Sequence, residues 1–452
     1  MLRWLLPVCL SLVGSTLGAQ EAIVRQYRAD ADRIIAAALA DSGAYARLAE
    51  LSDRFGHRFS GSDALEQALG WILAGMERDG LANVRGEPVM VPAWVRGEES
   101  AELVAPRATP LPMLGLGGSV ATPPDGITAE VLVVSSFEEL RARSADARGR
   151  IVLFDVPFTT YGETVRYRTD GAVAAARAGA VASLIRSVTP NSQRSPHTGM
   201  MQYADTVPRI PHAALTVEDA MMLHRMQDRG ERLVIRLRMN AQQQPDRESK
   251  NVIGELVGRE QPDEVVVVGG HTDSWDVGQG AMDDAGGIVA AWEALRVLKR
   301  LGLTPRRTIR VVGWTNEENG LRGGTAYRDA HRGALDRHVL AIESDAGVFA
   351  PEGFGFTGSD AAFAIVRQVG SLLEGIGAGR IRRGGGGADI GPIMREGVPG
   401  MGLDVDGTRY FWYHHADGDT VDKLDPREMG LCVAALAVMA YVIADLPDGL
   451  PR

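Results

Sequence analysis

Residues 264–284 read EVVVVGGHTDSWDVGQGAMDD, and this stretch decides the fold. Its four consecutive valines form a run that is short for a helix and typical of a strand buried on both faces. The strand ends at His271, and the loop after it closes on Asp283-Asp284 at the start of an apolar helix predicted over residues 285–300. The stretch therefore predicts one strand-loop-helix unit of an α/β sheet.

The same pattern continues along the chain. Two further apolar runs, TIRVVGW (308–314) and HVLAIE (338–343), are predicted strands, with a helix after Gly323 between them. This alternation predicts an α/β fold whose mostly parallel sheet is covered by helices on both faces. Ligands of such sheets bind beyond the carboxyl ends of the strands. The residues that follow each strand are therefore the candidate functional residues.

Acidic residues or histidines follow every one of these strands. They are His271, Asp273, Asp283 and Asp284 after the first strand, Glu317 and Glu318 after the second, Asp345 after the third, and His414, His415 and Asp419 in a late segment. A lone carboxylate at a strand end is most often a helix cap or part of a solvated turn. Three carboxylates and two histidines together match a site for two divalent ions that share one bridging carboxylate.

Zinc is the metal that mixed imidazole and carboxylate ligands favour, whereas all-oxygen sites favour magnesium or calcium. Asp273, two residues after His271, is placed to accept the second ring N–H of that histidine and to fix its ligating tautomer. Glu317 lies beside a ligand and is the candidate general base. A metal-bridging water would lose its proton to Glu317, and the hydroxide would attack an amide carbonyl. The chemistry predicted is peptide hydrolysis.

Composition excludes several other classes of protein. The 452 residues are 45% hydrophobic and 23% charged, which is ordinary for a folded globular chain. A formal net charge of −10 disfavours nucleic acid as a partner. The only two cysteines are Cys9 and Cys432, and Cys9 lies in the predicted signal peptide, so the mature chain is expected to contain no internal disulfide.

The first 19 residues carry Arg3, a short apolar run and a small-residue end before Gln20. This pattern predicts a signal peptide cleaved near Ala19, and thus a secreted or periplasmic protein. The apolar run is shorter than a membrane span requires, and no stable membrane insertion is expected. Two amphipathic helices are predicted next, over residues 29–55 and 62–79.

The site residues resemble the motifs of the M28 family of dizinc metallopeptidases, exopeptidases related to bacterial aminopeptidases. The resemblance rests on His271-x-Asp273, GAMDD (280–284), Glu317-Glu318, Asp345 and His415-x-x-x-Asp419. It extends over nearly the whole mature chain through segments such as YRTDGAV (167–173) and SPHTGMMQY (195–203). The chain resembles an exported bacterial relative within the carboxypeptidase branch of that family.

The resemblance implies a role for each site residue. It implies two zinc ions per chain, one held by His271 and Asp345, the other by Glu318 and His415, with Asp283 as the bridge. It further implies that Glu317 is the general base, that Asp273 orients His271, and that the Asp283–Asp284 peptide is cis. His414 is the alternative ligand to His415, and the four-residue spacing to Asp419 favours His415.

The resemblance also implies the domain organisation. Residues 20–114 would form the first part of a peptidase domain with the zinc-dependent exopeptidase fold, and residues 244–452 its catalytic part. Residues 115–243 would form an inserted protease-associated domain. Relatives of this kind cleave unsubstituted dipeptides and work as homodimers, so a homodimeric dipeptidase is expected.

Two alternatives differ from this expectation. The first is an aminopeptidase or a glutamate-releasing carboxypeptidase that acts on longer peptides. The second is a catalytically silent, receptor-like binding protein, which the presence of all five ligands and Glu317 disfavours. Trp275 and Trp412 flank the ligand segments and are candidates for the cleft wall, Gly384–Gly387 for a flexible part of that wall, and His197 is the further histidine most worth testing.

Overall fold

The computed structural model describes residues 14–191 and 193–452, with side chains from residue 22 onward. The first thirteen residues of the predicted signal peptide (1–19) lie outside the described part. Helix α1 spans Gly14–Leu39.

Helices and strands alternate through most of the described chain. The remaining longer helices are α2 (Gly43–Phe55), α3 (Asp63–Arg78), α4 (Phe137–Ala142), α5 (Ser144–Ala147), α6 (Tyr161–Thr164), α7 (Arg166–Arg177), α8 (Val217–Asp228), α9 (Gly286–Arg300), α10 (Arg322–His331), α11 (Asp360–Gly370), α12 (Gly391–Met394), α13 (Tyr410–Tyr413) and α14 (Pro426–Asp445). The strands are β1 (Ala82–Val95), β2 (Glu99–Ala105), β3 (Thr109–Leu111), β4 (Met113–Gly115), β5 (Ile127–Val134), β6 (Ile151–Phe154), β7 (Ala182–Arg186), β8 (His212–Leu215), β9 (Val234–Met239), β10 (Gln242–Leu256), β11 (Gln261–His271), β12 (Arg307–Trp314), β13 (His338–Glu343), β14 (Pro351–Thr357), β15 (Arg380–Arg383) and β16 (Gly400–Val405).

The first sheet has the strand order β1-β10-β12-β11-β13-β16-β14-β15. Its centre, β12-β11-β13-β16, is parallel, and antiparallel pairings flank this centre. The predicted strands at 264–270, 308–314 and 338–343 are β11, β12 and β13, which lie side by side in the sheet. The predicted α/β fold with a mostly parallel, mixed sheet is therefore confirmed.

Helices α9 and α14 pack on the centre of this sheet within its main hydrophobic core. By length and a mean hydropathy of 1.7, α14 would suffice to cross a membrane, but 89% of its apolar window is buried inside the protein. Helix α14 is thus the core helix of the fold. Cys432 is buried within it.

Two of the predicted helices differ in detail. The helix predicted over 29–55 is two helices, α1 and α2, because the Asp41 Oδ1 accepts a hydrogen bond from the Gly43 N–H at 2.8 Å and turns the chain between them. The helix predicted from residue 285 begins at Gly286, after a π-turn over Ala281–Ala285. That turn brings Asp283 and Asp284 to the edge of the sheet.

A second sheet lies between β1 and β10 in the sequence. Its order is β3-β2-β9-β5-β6-β7-β8-β4, and its strands run from Glu99 to Met239. It has its own hydrophobic clusters on its two faces. Residues 99–239 are here called the second-sheet unit. The predicted boundary at residue 115 lies inside this unit, among its strands. Its assignment as a protease-associated domain stays a prediction.

Candidate metal centre

The parallel strands bring the predicted residues to one edge of the first sheet. In the register of β11 and β12, His271 lies opposite Trp314, so Glu317 and Glu318 follow at the same level. Gly269 lies opposite Glu343, and Asp345 follows two residues later. The carboxyl ends of three neighbouring strands therefore converge, as the βαβαβ pattern predicted.

One histidine lies close to each of the two oxygens of the Asp283 carboxylate. The His271 Nε2 lies 3.1 Å from Oδ1 of Asp283 and 3.4 Å from Oδ1 of Asp345. The His415 Nε2 lies 3.4 Å from Oδ2 of Asp283 and 3.0 Å from Oε2 of Glu318. All five predicted ligands thus meet around Asp283, one His–acid pair on each side.

The donor set fits a pair of metal ions. Among the buried side-chain oxygens, Oδ2 of Asp283, Oε1 of Glu318 and Oδ1 of Asp345 have no hydrogen-bond partner. Burial raises the pKa of Glu318 and of Asp345, and neighbouring carboxylates raise both further. Unpartnered carboxylate oxygens at this density are costly unless a cation compensates them, so the residues present suit divalent ions.

His414 also reaches this site. Its Nε2 lies 3.6 Å from Oδ2 of Asp283, and its ring stacks on that of His415 with centroids 3.5 Å apart. Burial lowers the pKa of His414 to about 3, so its imidazole is neutral at pH 7. His415 contacts both Asp283 and Glu318, and this second contact favours His415 as the ligand.

Asp273 differs in one respect from the sequence prediction. The His271 Nδ1 lies 2.9 Å from the backbone carbonyl of Asp273 and 3.7 Å from its carboxylate. The carbonyl therefore accepts the ring N–H and fixes the tautomer. The carboxylate instead accepts hydrogen bonds from the backbone N–H groups of Glu317 and Glu318 at 3.1 and 3.3 Å, so it positions both glutamates.

Charged side chains of the site affect the pKa of Glu317. Burial raises the pKa of the Glu317 carboxyl well above the ordinary value. The His271 imidazole lowers this pKa, and the carboxylates of Asp345 and Asp283 raise it further. A carboxylate with a raised pKa is a stronger base, which is the property a general base requires.

Two further aspartates shape the loop that carries Asp283. Asp419 accepts hydrogen bonds from the backbone N–H groups of Met282 and Asp283 at 2.7 and 3.2 Å. Asp284 accepts from the backbone N–H groups of His271 and Gly287 at 3.0 and 3.1 Å. The Asp283–Asp284 peptide is cis, as predicted. The sequence spacing drew attention to both aspartates and left their backbone partners unknown.

Arg58 is a site residue that sequence reasoning missed. It is fully buried, and its guanidinium donates to the carbonyl oxygens of Thr272, Gln279 and Gly280 at 2.7–2.9 Å. The bonds tie both ends of the loop after β11 to the segment before α3. The only sequence signal was an arginine in the turn before a predicted helix, which is too common to single out.

The second-sheet unit also contributes residues near the centre. Arg168 on α7 is 6% exposed and has its Nη1 3.4 Å from Nδ1 of His415, and His197 is buried against the same segment.

Trp275 is buried and packs on Phe59 and on His415, so it supports the proposed ligand His415 rather than lining an open cleft. Trp412 is partly exposed, at 36%. In the glycine run, Gly387 lies against the Glu343 carboxyl, where a side chain would overlap it.

Comparison with known proteins places this geometry in a family. The profile of peptidase family M28 matches residues 251–440. Carboxypeptidase Q of Xenopus laevis is 51% identical over 413 residues, which is 91% of this chain and 88% of that protein. The chain belongs to peptidase family M28. As a member of this family it is a zinc metallopeptidase, and the resemblance to the carboxypeptidase branch of the family is confirmed.

Solved structures agree with this M28 assignment. A peptidase M28 precursor from Shewanella amazonensis has a TM-score of 0.91 and 34% identity, and the match covers 95% of this chain and 99% of that one. A zinc aminopeptidase from Bacillus subtilis has a TM-score of 0.68 and 20% identity, with 90% and 98% coverage. The latter shares the fold of this M28 chain.

Proposed function

We propose that this M28 peptidase is a dizinc exopeptidase that hydrolyses the peptide bond of unsubstituted dipeptides. The observation that carries the proposal is the pairing of His271 and His415 across Asp283, with buried carboxylate oxygens that have no protein partner. In the proposed site His271 and Asp345 would hold one zinc ion, Glu318 and His415 would hold the other, and the Asp283 carboxylate would be shared by both.

Two zinc ions at this position would polarise the scissile carbonyl and increase the acidity of a water molecule. Glu317 takes the proton from the attacking water at its carboxylate and then donates it to the departing amine nitrogen. The Asp273 carboxylate holds the backbone of Glu317, and so fixes the direction of that proton transfer. The Asp273 carbonyl keeps the Nε2 of His271 free for the metal.

The enclosure of the site supports a short substrate. His271 and Asp273 are fully buried, and the exposed fraction of the Asp345 side chain is 21%. The second-sheet unit contacts the segment that carries His415, so one side of the centre is closed by protein. The relatives at about half identity are named carboxypeptidase Q, which supports a small peptide with a free carboxyl end as the substrate.

A substrate panel tests the proposed specificity. We expect turnover of free dipeptides and at least about 100-fold lower kcat/KM for N-acetylated dipeptides and for tripeptides, a difference of about 3 kcal/mol in transition-state binding. Equal turnover of tripeptides would favour the aminopeptidase or longer-peptide carboxypeptidase instead. The control is Glu317→Gln, which should retain zinc and lose turnover by at least about 100-fold.

We also propose an exported homodimer whose second-sheet unit, predicted from the sequence as residues 115–243, is a protease-associated domain. The signal-like residues 1–19 support export. Amino-terminal sequencing of the mature protein tests removal of the signal peptide, and light scattering tests the homodimer. A retained residue 1, or a monomer at micromolar concentration, would contradict the corresponding part.

A further inference from the structure

The segment that carries His415 adopts a costly backbone conformation. His415 has φ 60°, in the left-handed region, although it is not glycine. A non-glycine residue is disfavoured in that region, so contacts from elsewhere must stabilise it. On the peptidase side, the nearest backbone anchor of this segment is the bond from the Gln279 N–H to the Asp419 carbonyl, four residues further along.

The second-sheet unit supplies contacts directly at the histidines. The Thr198 N–H donates to the His415 carbonyl at 2.9 Å. His197 pairs with Ala416 as an antiparallel bridge. The backbone of the proposed ligand is therefore held by a neighbouring unit of the fold.

His197 adds a side-chain bond of its own. Its Nδ1 lies 2.6 Å from the His414 carbonyl oxygen, and because that oxygen can only accept, Nδ1 carries the proton. His197 is 2% exposed, and its Nε2 has no partner. The one hydrogen bond that the His197 side chain makes is thus the one that holds the ligand segment.

Further contacts extend the same interface. The Thr189 hydroxyl donates to the Phe411 carbonyl at 2.5 Å, and the Tyr161 ring stacks on that of Phe411 at 5.0 Å. Arg168 places its guanidinium between Thr198 and the His415 ring, and Gly199 leaves the space for it. The second-sheet unit therefore contacts residues 411–416 from several of its elements.

We propose that His197 and Thr198 are positioning residues for the metal site, because they set the His414–His415 backbone and so bring the His415 imidazole to Glu318. This inference rests on the proposed dizinc function. It gives the second-sheet unit a definite role, since the affinity of the Glu318–His415 side for zinc depends on a unit that contributes none of the five proposed ligands. The His271–Asp345 side is held by the first sheet and does not depend on it.

Zinc titration of the full chain, with a chromophoric chelator as competitor, tests this inference. We expect the wild type to bind two ions and His197→Leu to bind one of them at least about 10-fold more weakly, the other unchanged. His197→Asn should restore the wild-type value, since an asparagine amide places a donor where Nδ1 lies. A merely structural role for His197 would lower stability without this selective loss.

The matched control is His224→Leu, in the same unit. His224 also makes one short bond, to Asp155 at 2.7 Å, and makes none to the ligand segment. Its zinc affinities should equal those of the wild type. If His197→Leu fails to fold, His197→Gln, whose amide donor lies near the position of Nε2, replaces it and should show the same selective loss.

The outcomes separate the two claims. Two ions bound by His197→Leu (or His197→Gln) with wild-type affinities would overturn the positioning role and leave the proposed function standing. A wild type that binds fewer than two ions would overturn the dizinc function, and this inference with it.

Discussion

At the scale of single residues, the protein uses buried polar groups whose protonation state is set by their neighbours. His338, at the start of β13, is 2% exposed. Its Nδ1 lies 2.9 Å from the Ala334 carbonyl, and its Nε2 lies 2.9 Å from the Tyr327 hydroxyl. A neutral ring with the proton on Nδ1 satisfies both bonds, and burial lowers the pKa of His338 to about 4.

This pKa predicts a pH dependence of stability. The unfolded chain takes up a proton near the ordinary value of 6.5, and the folded chain resists it until about pH 4. Stability from His338 is therefore complete above 6.5 and is lost as pH falls toward 4, by about 3 kcal/mol. Urea unfolding at pH 7 and pH 4 should show a loss larger by this amount in the wild type than in His338→Gln. Equal losses in both proteins would contradict the assignment.

At the scale of secondary-structure elements, two glycines of α3 illustrate how packing outweighs intrinsic preference. Gly75 faces the Trp292 ring of α9, and a Cβ there would overlap that ring. Gly70, on the same helix, is exposed and has no atom within 4 Å of where its Cβ would lie. The two positions thus differ in surroundings and share the same helix.

Alanine at each position should change stability in opposite directions. Gly70→Ala should stabilise the protein by up to about 1 kcal/mol, because alanine loses less backbone entropy in a helix. Gly75→Ala should destabilise it by about 1–2 kcal/mol, because overpacking against Trp292 exceeds that gain. Denaturant midpoints measure both. A stabilised Gly75→Ala would show that α3 and α9 are less closely packed than the structure indicates.

At the scale of the whole molecule, the proposed ligands come from segments that lie far apart in the sequence. In the folded protein His271, Asp283, Glu318, Asp345 and His415 meet at the edge of the first sheet, and the second-sheet unit contacts the segment that carries His415. The unfolded chain therefore lacks the site, and metal should bind the folded state alone. Folding and zinc binding are coupled.

Removal of metal should consequently destabilise the whole protein. At zinc concentrations 100-fold above Kd, each site contributes about 2.7 kcal/mol to the free energy of unfolding. Excess chelator should lower the urea midpoint by a corresponding amount in the wild type, and by less in Asp283→Asn, which weakens the proposed bridging ligand. An unchanged wild-type midpoint would show that no tightly bound metal supports the fold.

Much of the sheet, and most of the residues that meet at its edge, could be predicted from sequence. The valine run before His271 predicted β11 because strands buried on both faces require continuous apolar residues, and the acids after β12 and β13 followed from the topology. Arg58 could not be predicted, and His197 was singled out only as a histidine worth testing, with no partner or role assigned to it. Their partners lie more than 200 residues away, and the bonds are to backbone carbonyls, which leave no trace in side-chain identity. The use of the Asp273 carboxylate also depended on local backbone direction.

The central claim is a catalytic dizinc centre, and one measurement tests it most directly: zinc content per chain, determined together with hydrolysis of a free dipeptide before and after chelation. The account predicts about two zinc ions per chain, turnover that falls on chelation and returns with zinc, and a Glu317→Gln variant that keeps its zinc without turnover. A wild type that holds no zinc after reconstitution, or that hydrolyses dipeptides equally well in excess chelator, would contradict it.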